Sequence, residues 1–186
     1  MQAKERLKIL VKEIAVDGSR RAYQQIFDLL FVPLMNFAYP IVRCRETAEE
    51  IASDVLLMIW EQREQLTGVA NIRYYTFVAA KNRALNARKK KGLNAVSLEE
   101  IDYDIKFDKS DPEAIFLHGE LTSQLDYAIA KLPRQCKLVF KLVREEGFSY
   151  QETADMLSIS TRTVNAHLVH ATKRLAGVLK KDFRLS

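Results

Sequence analysis

Apolar residues recur along most of this chain at steps of three and four, the spacing that puts them on one face of a helix. Tyr23, Ile26, Phe27, Leu30, Leu34 and Phe37 form one such face, and Asp17 or Ser19 stands where its N-cap is needed. Pro33 removes a backbone donor inside that segment, which predicts a kink. Thr47 and Glu50 have the spacing of a capping box, and Ile51, Val55, Met58 and Ile59 follow at helical intervals before Gly68 ends the segment. Ile72 to about Lys90 predicts a third long helix, with Tyr75, Val78, Asn82 and Leu85 on one stripe and Phe77, Lys81, Ala84 and Arg88 on the next. Asp111-Pro112 and Leu132-Pro133 each start a helix with proline at the first helical position, and Gly147 closes the second of them. No alternating pattern of strand length and no internal repeat is present, so the pattern predicts an all-α protein.

The last third is the most ordered part of the pattern. Ser149 and Glu152 form a capping box that starts a helix at about Tyr150. After Leu157 the stretch Ser158-Ile159-Ser160 turns the chain, and Ser160 or Thr161 caps a second helix running toward Lys180. Val164, Leu168, Ala171 and Leu175 make its buried stripe, while Arg162, Asn165, Ala166, Val169 and Lys173 occupy the opposite face. This is a helix-turn-helix whose exposed face carries small, amide and basic groups suited to a major groove and its phosphates. Paired amphipathic helices also occur in proteins that never touch DNA, and charge is what shifts the reading. From Ser160 onward Arg162, Lys173, Arg174, Lys180, Lys181 and Arg184 face a single acid, Asp182.

Charge divides the rest into blocks more informative than the net +5. Between Glu46 and Glu64, six acids, Glu46, Glu49, Glu50, Asp54, Glu61 and Glu64, outnumber Arg63 and make one acidic helix. Asn71 to Leu98 contains Arg73, Lys81, Arg83, Arg88, Lys89, Lys90 and Lys91 and no acid. Glu99 to Glu113 carries seven acids against Lys106 and Lys109 and reads as a linker. Two small helical domains follow, residues 1–92 and 111–186, joined by an acidic linker at 93–110, with the helix-turn-helix in the second. Two basic modules on one tether suggest two nucleic-acid contacts.

Composition removes other classes. With 186 residues and 48% apolar content the chain can build ordinary cores. Ile26 to Val42, broken by Asp28, Pro33, Asn36 and Pro40, falls short of a membrane span, and the charged N-terminus lacks a signal-peptide core. A cytoplasmic protein without direct membrane insertion is expected. Cys44 and Cys136 form no C-x-x-C and are expected to be buried as small apolar residues. His167 and His170 are three apart on a helix, with no third metal ligand nearby in sequence. No phosphate-cradling glycine loop and no nucleophile beside a base is present, so neither catalysis nor a cofactor or metal is expected.

The order of Thr47-Ala-Glu-Glu-Ile-Ala-Ser-Asp-Val-Leu-Leu-Met-Ile-Trp60, Asn71-Ile-Arg-Tyr-Tyr-Thr-Phe-Val-Ala-Ala-Lys-Asn-Arg-Ala-Leu85, Leu132-Pro-Arg-Gln-Cys-Lys-Leu-Val-Phe140 and the helix-turn-helix resembles the extracytoplasmic-function sigma factors of bacterial RNA polymerase, over roughly residues 20–180. The resemblance implies a sigma factor that binds core RNA polymerase and directs it to promoters. It implies domain 2 at 1–92, for core binding and the melted −10 element, and domain 4 at 111–186, for the duplex −35 element. Core polymerase would dock on Glu50, Asp54, Leu57 and Trp60. The −10 strand would meet Asn71, Arg73, Tyr74, Phe77, Lys81, Arg83 and Arg88, where aromatics stack on bases and cations follow phosphates. An unstacked base would sit in the loop Thr67–Asn71, against Asn71. The −35 bases would be read by Asn165, Ala166, Val169 and His170, with Arg162, Thr163 and Lys173 on phosphates. Many family members are held by a membrane-bound anti-sigma protein, which is an expected partner here.

Other readings stand beside these. Trp60 can be core and its acidic neighbours a solvated face. Tyr75 and Asn82 read as structural, Asn82 as a buried amide, and Lys89 to Lys91 as a solvated helix end. The family has basic residues more often where Ala166, Val169 or His170 stand, glycine where Ser158 stands, and leucine where Thr76 stands. The linker either mimics nucleic acid in polymerase channels, through Asp102, Asp104 and Asp108, or is a solvated spacer. The competing function is a free-standing helix-turn-helix regulator of the response-regulator output type, to which the C-terminal module is also similar; the basic, aromatic helix at 72–90 speaks against it.

Overall fold

The computed structural model of the chain describes residues 2–92 and 127–182, and the side chains of 5–92 and 127–177. The chain divides into two compact units, Met1–Ala95 and Val96–Ser186. The acidic linker and the cap expected at Asp111-Pro112 lie outside the described residues.

The first unit contains α1 (Gln2–Asp17), α2 (Arg20–Val42), α3 (Arg45–Glu61), a 3₁₀ turn (Arg63–Gly68) and α4 (Ile72–Lys90). Gly18, at φ 60°, turns the chain between α1 and α2. Ser19 then caps α2, its Oγ accepting the Ala22 N–H at 3.2 Å. Helix α2 is the centre of the unit and packs on α1, α3 and α4. Its residues Ile26, Leu30, Leu34 and Ile41 are fully enclosed. Both Pro33 and Pro40 lie inside this one continuous helix. The sequence pattern predicted a kink at Pro33 and an apolar stretch too broken to span a membrane, whereas α2 is long and apolar enough by length and composition to cross one. Half of that apolar window is buried within the protein, against the neighbouring helices.

Helix α3 begins three residues earlier than the spacing of Thr47 and Glu50 suggested. Cys44 is its N-cap and makes no side-chain capping bond, so the expected capping box is absent. The first turn is served by Glu46 instead. Its carboxyl is held below the usual carboxylate range by its own backbone N–H and by the Cys44 thiol, which donates to Oε2 at 3.2 Å. Cys44 is thus partly exposed, in contrast to the expected burial, while Cys136 is buried. The Thr47 hydroxyl accepts a hydrogen bond from Lys91 Nζ at 3.2 Å.

Helix α4 presents a different face to the core from the stripe read in the sequence. Ile72, Thr76, Phe77, Ala80 and Ala84 are buried, Tyr75, Val78 and Leu85 are half-buried, and Asn82 is exposed rather than a buried amide. Helix α4 packs on α2 and α3. Thr76, where leucine is more usual, places its hydroxyl on the Arg73 carbonyl at 2.8 Å, which satisfies it inside its own helix.

In the second unit a helical stretch at 127–130 precedes α5 (Arg134–Phe140), which runs into a π-helical turn (Lys141–Glu145), then α6 (Tyr150–Leu157) and α7 (Thr161–Asp182). Pro133, expected as the first helical residue, is instead the N-cap of α5, which starts one position later at Arg134. Lys137 is buried and its ammonium donates to the Ala130 carbonyl, joining α5 to the preceding helical stretch. Gly147, at φ 73°, ends the π turn. The capping box of α6 is complete: Glu152 N–H donates to Ser149 Oγ at 3.1 Å, and Ser149 N–H donates to Glu152 Oε2 at 2.8 Å. Val164, Leu168, Ala171 and Leu175 of α7 are buried as the periodicity required.

Ser158 is the residue on which the α6–α7 turn depends. It is left-handed, at φ 58°, and its N–H bonds the Ala154 carbonyl as the α6 C-cap. A left-handed conformation costs a residue with a Cβ about 1–2 kcal/mol, and glycine avoids this steric cost. Ser158→Gly is therefore expected to stabilise the protein by about 1 kcal/mol, read as a higher urea midpoint with unchanged slope. A lower midpoint would show that the serine side chain contributes more than the strain it causes.

Candidate nucleic-acid interface

The exposed face of α7 is built from its first turn outward. Ser160 precedes the helix, and its Oγ accepts the Thr163 N–H at 3.0 Å and contacts Thr163 Oγ1 at 2.8 Å. This bond fixes the helix entry, and with Val164 and Leu168 buried the opposite face must point outward. Arg162, Asn165, Ala166, Val169, His170 and Lys173 are all exposed there, Thr163 half so. Val169 is 45% accessible, an apolar group left exposed among the described residues. All seven residues expected to meet the −35 element thus lie on one helix, with only Thr163 engaged in capping.

The residues expected to meet the −10 strand divide differently. Asn71 is the N-cap of α4, its oxygen accepting the Tyr74 N–H at 3.3 Å. Arg73, Tyr74, Lys81 and Arg83 are half-buried along the helix. Phe77 is a correction: it is 1% accessible, and its ring packs against Phe37 with centroids 5.1 Å apart. It cannot stack on a base without leaving the core. The Arg73 guanidinium lies 5.8 Å from the Phe77 ring and covers it. Arg88 donates to the Ile41 carbonyl at 3.1 Å, tying the basic end of α4 to the end of α2, while Lys89 and Lys90 remain exposed.

The loop before α4 borders a groove of about 490 Å³, with Leu66, Thr67 and Val69 on one side and Lys8, Val11 and Lys12 of α1 on the other. Sequence patterning placed no function on Lys8 and Lys12, because only folding brings α1 beside the loop. Gln62 accepts a hydrogen bond from the Tyr75 hydroxyl at 3.3 Å, linking the chain before the 3₁₀ turn to α4.

On α3, Glu50, Asp54 and Leu57 are exposed at steps of four and three, and Leu57 is 50% accessible. Trp60 is neither fully exposed nor core. It is half-buried, with its ring 5.0 Å from Tyr23 and the Arg63 guanidinium 4.9 Å above it. The aromatic contacts continue along α2, from Tyr23 to Phe27 at 6.5 Å and from Phe27 to Phe31 at 5.0 Å. Tyr23 and Phe27 were read as one face with Ile26 and Leu30; they are half-buried at its margin, where partial burial raises the Tyr23 pKa.

With this geometry in place, comparison with known proteins is informative. Residues 30–93 match the family model for sigma-70 region 2, and residues 122–175 match that for sigma-70 region 4; together they span more than half of the chain. The fold is similar to that of CnrH, solved in complex with the cytosolic domain of CnrY, with a TM-score of 0.52, 19% identity, and coverage of 95% of this chain and 99% of that one. It is also similar to the sigma factor RpoE of Bartonella quintana, solved with the anti-sigma factor NepR, with a TM-score of 0.51, 18% identity, and coverage of 85% and 96%. No curated protein matches the chain. The chain belongs to the sigma-70 family. It is an RNA polymerase sigma factor, and its layout of region 2 followed by region 4 matches that of the extracytoplasmic-function group. The family is one of non-enzymatic transcription initiation factors, whose partners are RNA polymerase and promoter DNA.

Phe77→Ala is expected to cost about 3–5 kcal/mol of stability, whereas Asn82→Ala is expected to change it by no more than about 0.5 kcal/mol. Urea denaturation of the two variants measures both. A small effect at Phe77 would return that ring to the surface.

Proposed function

We propose that the second unit reads the −35 element in duplex DNA through α7 and that the first unit binds core polymerase and holds the melted −10 element. The observation that carries this is the outward face of α7, where Arg162, Asn165, Ala166, Val169, His170 and Lys173 are exposed together over a fully buried stripe. Arg162, Thr163 and Lys173 meet phosphates; Asn165 offers an amide to adenine; Ala166 and Val169 offer apolar contact to thymine methyls. With no arginine or lysine at the central positions, thymine-rich readout is favoured over guanine readout.

In the first unit, Arg73, Tyr74, Lys81 and Arg83 line the path of the single strand, and an unstacked base enters the groove beside the loop Thr67–Asn71, where Lys8 and Lys12 neutralise its phosphates. Arg88 acts by holding α4 to α2, with Lys89 and Lys90 supplying the charge. Glu50, Asp54 and Leu57 meet a basic surface of core polymerase, and Trp60 with Tyr23 forms the aromatic edge of that contact. The protein hydrolyses nothing and acts in the cytoplasm. An anti-sigma protein is a further partner, a reading supported by the similarity to RpoE, which was solved with NepR.

Transcription of genomic fragments by bacterial core polymerase, with and without this protein, tests the reading. New start sites that share two upstream elements at fixed spacing are expected only when the protein is present; their absence would refute it. Asp54→Lys is expected to weaken capture by core polymerase at least about tenfold, since it places a like charge against a basic partner. Paired substitution of Asn165 and Val169 is expected to alter −35 preference and leave that capture intact.

A further inference from the structure

The Cys136 sulfur of α5 lies 3.5 Å from His167 Nδ1 and 3.4 Å from His170 Nδ1 on α7. Both distances lie within hydrogen-bonding range for sulfur. Cys136 is only 3% accessible and sits in the apolar cluster formed by Ala128, Ile129, Leu132, Ala171 and Leu175. Among the described residues no group of three histidine, cysteine or acidic side chains forms a metal site, so the three groups are to be understood through hydrogen bonding. Burial pushes the Cys136 pKa up, against an opposing pull from Arg174, and the group remains a thiol at neutral pH.

A thiol has one hydrogen to donate, and each neutral imidazole has one N–H and one bare nitrogen. If both Nδ1 atoms were bare, one would face the sulfur lone pairs unsatisfied. If both were protonated, the sulfur would accept twice and the thiol hydrogen would be left against the apolar cluster. Only the mixed arrangement satisfies all three groups: S–H donates to one Nδ1, and the other Nδ1–H donates to sulfur. We infer that Cys136 is a positioning residue for the recognition face of α7, linking His167 and His170 in opposite tautomers and thereby setting whether the exposed His170 offers a donor or an acceptor at Nε2.

This rests on the proposed role of α7 in reading duplex DNA. His170 is exposed, so Nε2 is the nitrogen left for a base edge once Nδ1 faces Cys136. An Nε2–H suits the N7 and O6 acceptors of guanine, and a bare Nε2 suits the amino groups of adenine or cytosine. His170 cannot change between these states without His167 changing in the opposite sense.

The test uses the full-length protein with 15N-labelled histidine, observed by long-range 1H–15N correlation at about pH 8, above the ordinary imidazole range. The native protein is expected to show His167 and His170 in opposite tautomers. Cys136→Val, which fills the space without a donor or acceptor, is expected to bring both toward the same tautomer, and Cys136→Ser to restore the difference. Holoenzyme affinity for a −35 promoter fragment is expected to fall about three- to tenfold with valine and to recover with serine, the range of one lost hydrogen bond. Melting temperature checks that the valine variant is folded. Identical tautomers in the native protein, tautomers unchanged by valine, or zinc-dependent movement of both Nδ1 signals would overturn the inference. Tautomers that respond while promoter affinity does not would overturn the positioning role; if paired substitution of Asn165 and Val169 also leaves −35 preference unchanged, it is the DNA-reading role of α7 that has failed.

Discussion

Burial of one side of α2 is the constraint on which the first unit depends. This helix supplies Ile26, Leu30, Leu34 and Ile41 to the core, and α1, α3 and α4 each pack against it. Two prolines inside it forgo backbone hydrogen bonds. That loss is sustained because enclosing a large aliphatic side chain contributes roughly 1.5–3 kcal/mol, several times over along the helix. Once α2 is enclosed, the remaining surfaces are determined: α3 turns Glu50, Asp54 and Leu57 outward, α4 turns Lys89 and Lys90 outward, and α1 comes to lie beside the loop that precedes α4.

Function in each unit follows from what the core leaves over. On α7 the buried stripe and the Ser160 cap together allow one rotation of the helix, and that rotation presents amide, small and basic groups on a single surface. On α4 the same logic removes a residue from the interface. Phe77 has the chemistry to stack on a base, but Phe37 claims it from inside, and Arg73 covers what remains. The two modules therefore differ in kind. The second presents an exposed helix face, and the first presents cations and a groove beside a loop.

Several features were legible along the chain because they are local. The Ser149–Glu152 box, the Ser19 cap, the Gly147 stop and the α7 stripe all involve residues within one or two helical turns of each other, and each appears where spacing put it. Spacing misled where two faces of one helix were almost equally apolar. On α4, Tyr75, Val78 and Leu85 compete with Ile72, Thr76, Phe77, Ala80 and Ala84, and it is the second set that packing buries. The Thr47–Glu50 spacing misled for another reason. Glu46 and Cys44 served the helix start from an earlier position, and Thr47 was recruited by Lys91 from the far end of α4.

The amino-acid sequence by itself determined the all-helical class, the two basic modules and which face of α7 points outward, because helical periodicity and charge order need no knowledge of distant contacts. Tertiary structure alone decided which aromatic rings are available to a partner, which cations are tied to carbonyls, and which residues meet across helices. Lys8 and Lys12 beside the loop before α4, Trp60 against Tyr23, and Cys136 between two histidines are pairings over many residues of chain. Their partners are selected by packing, which acts on shape and buried area and leaves no periodic trace along the sequence.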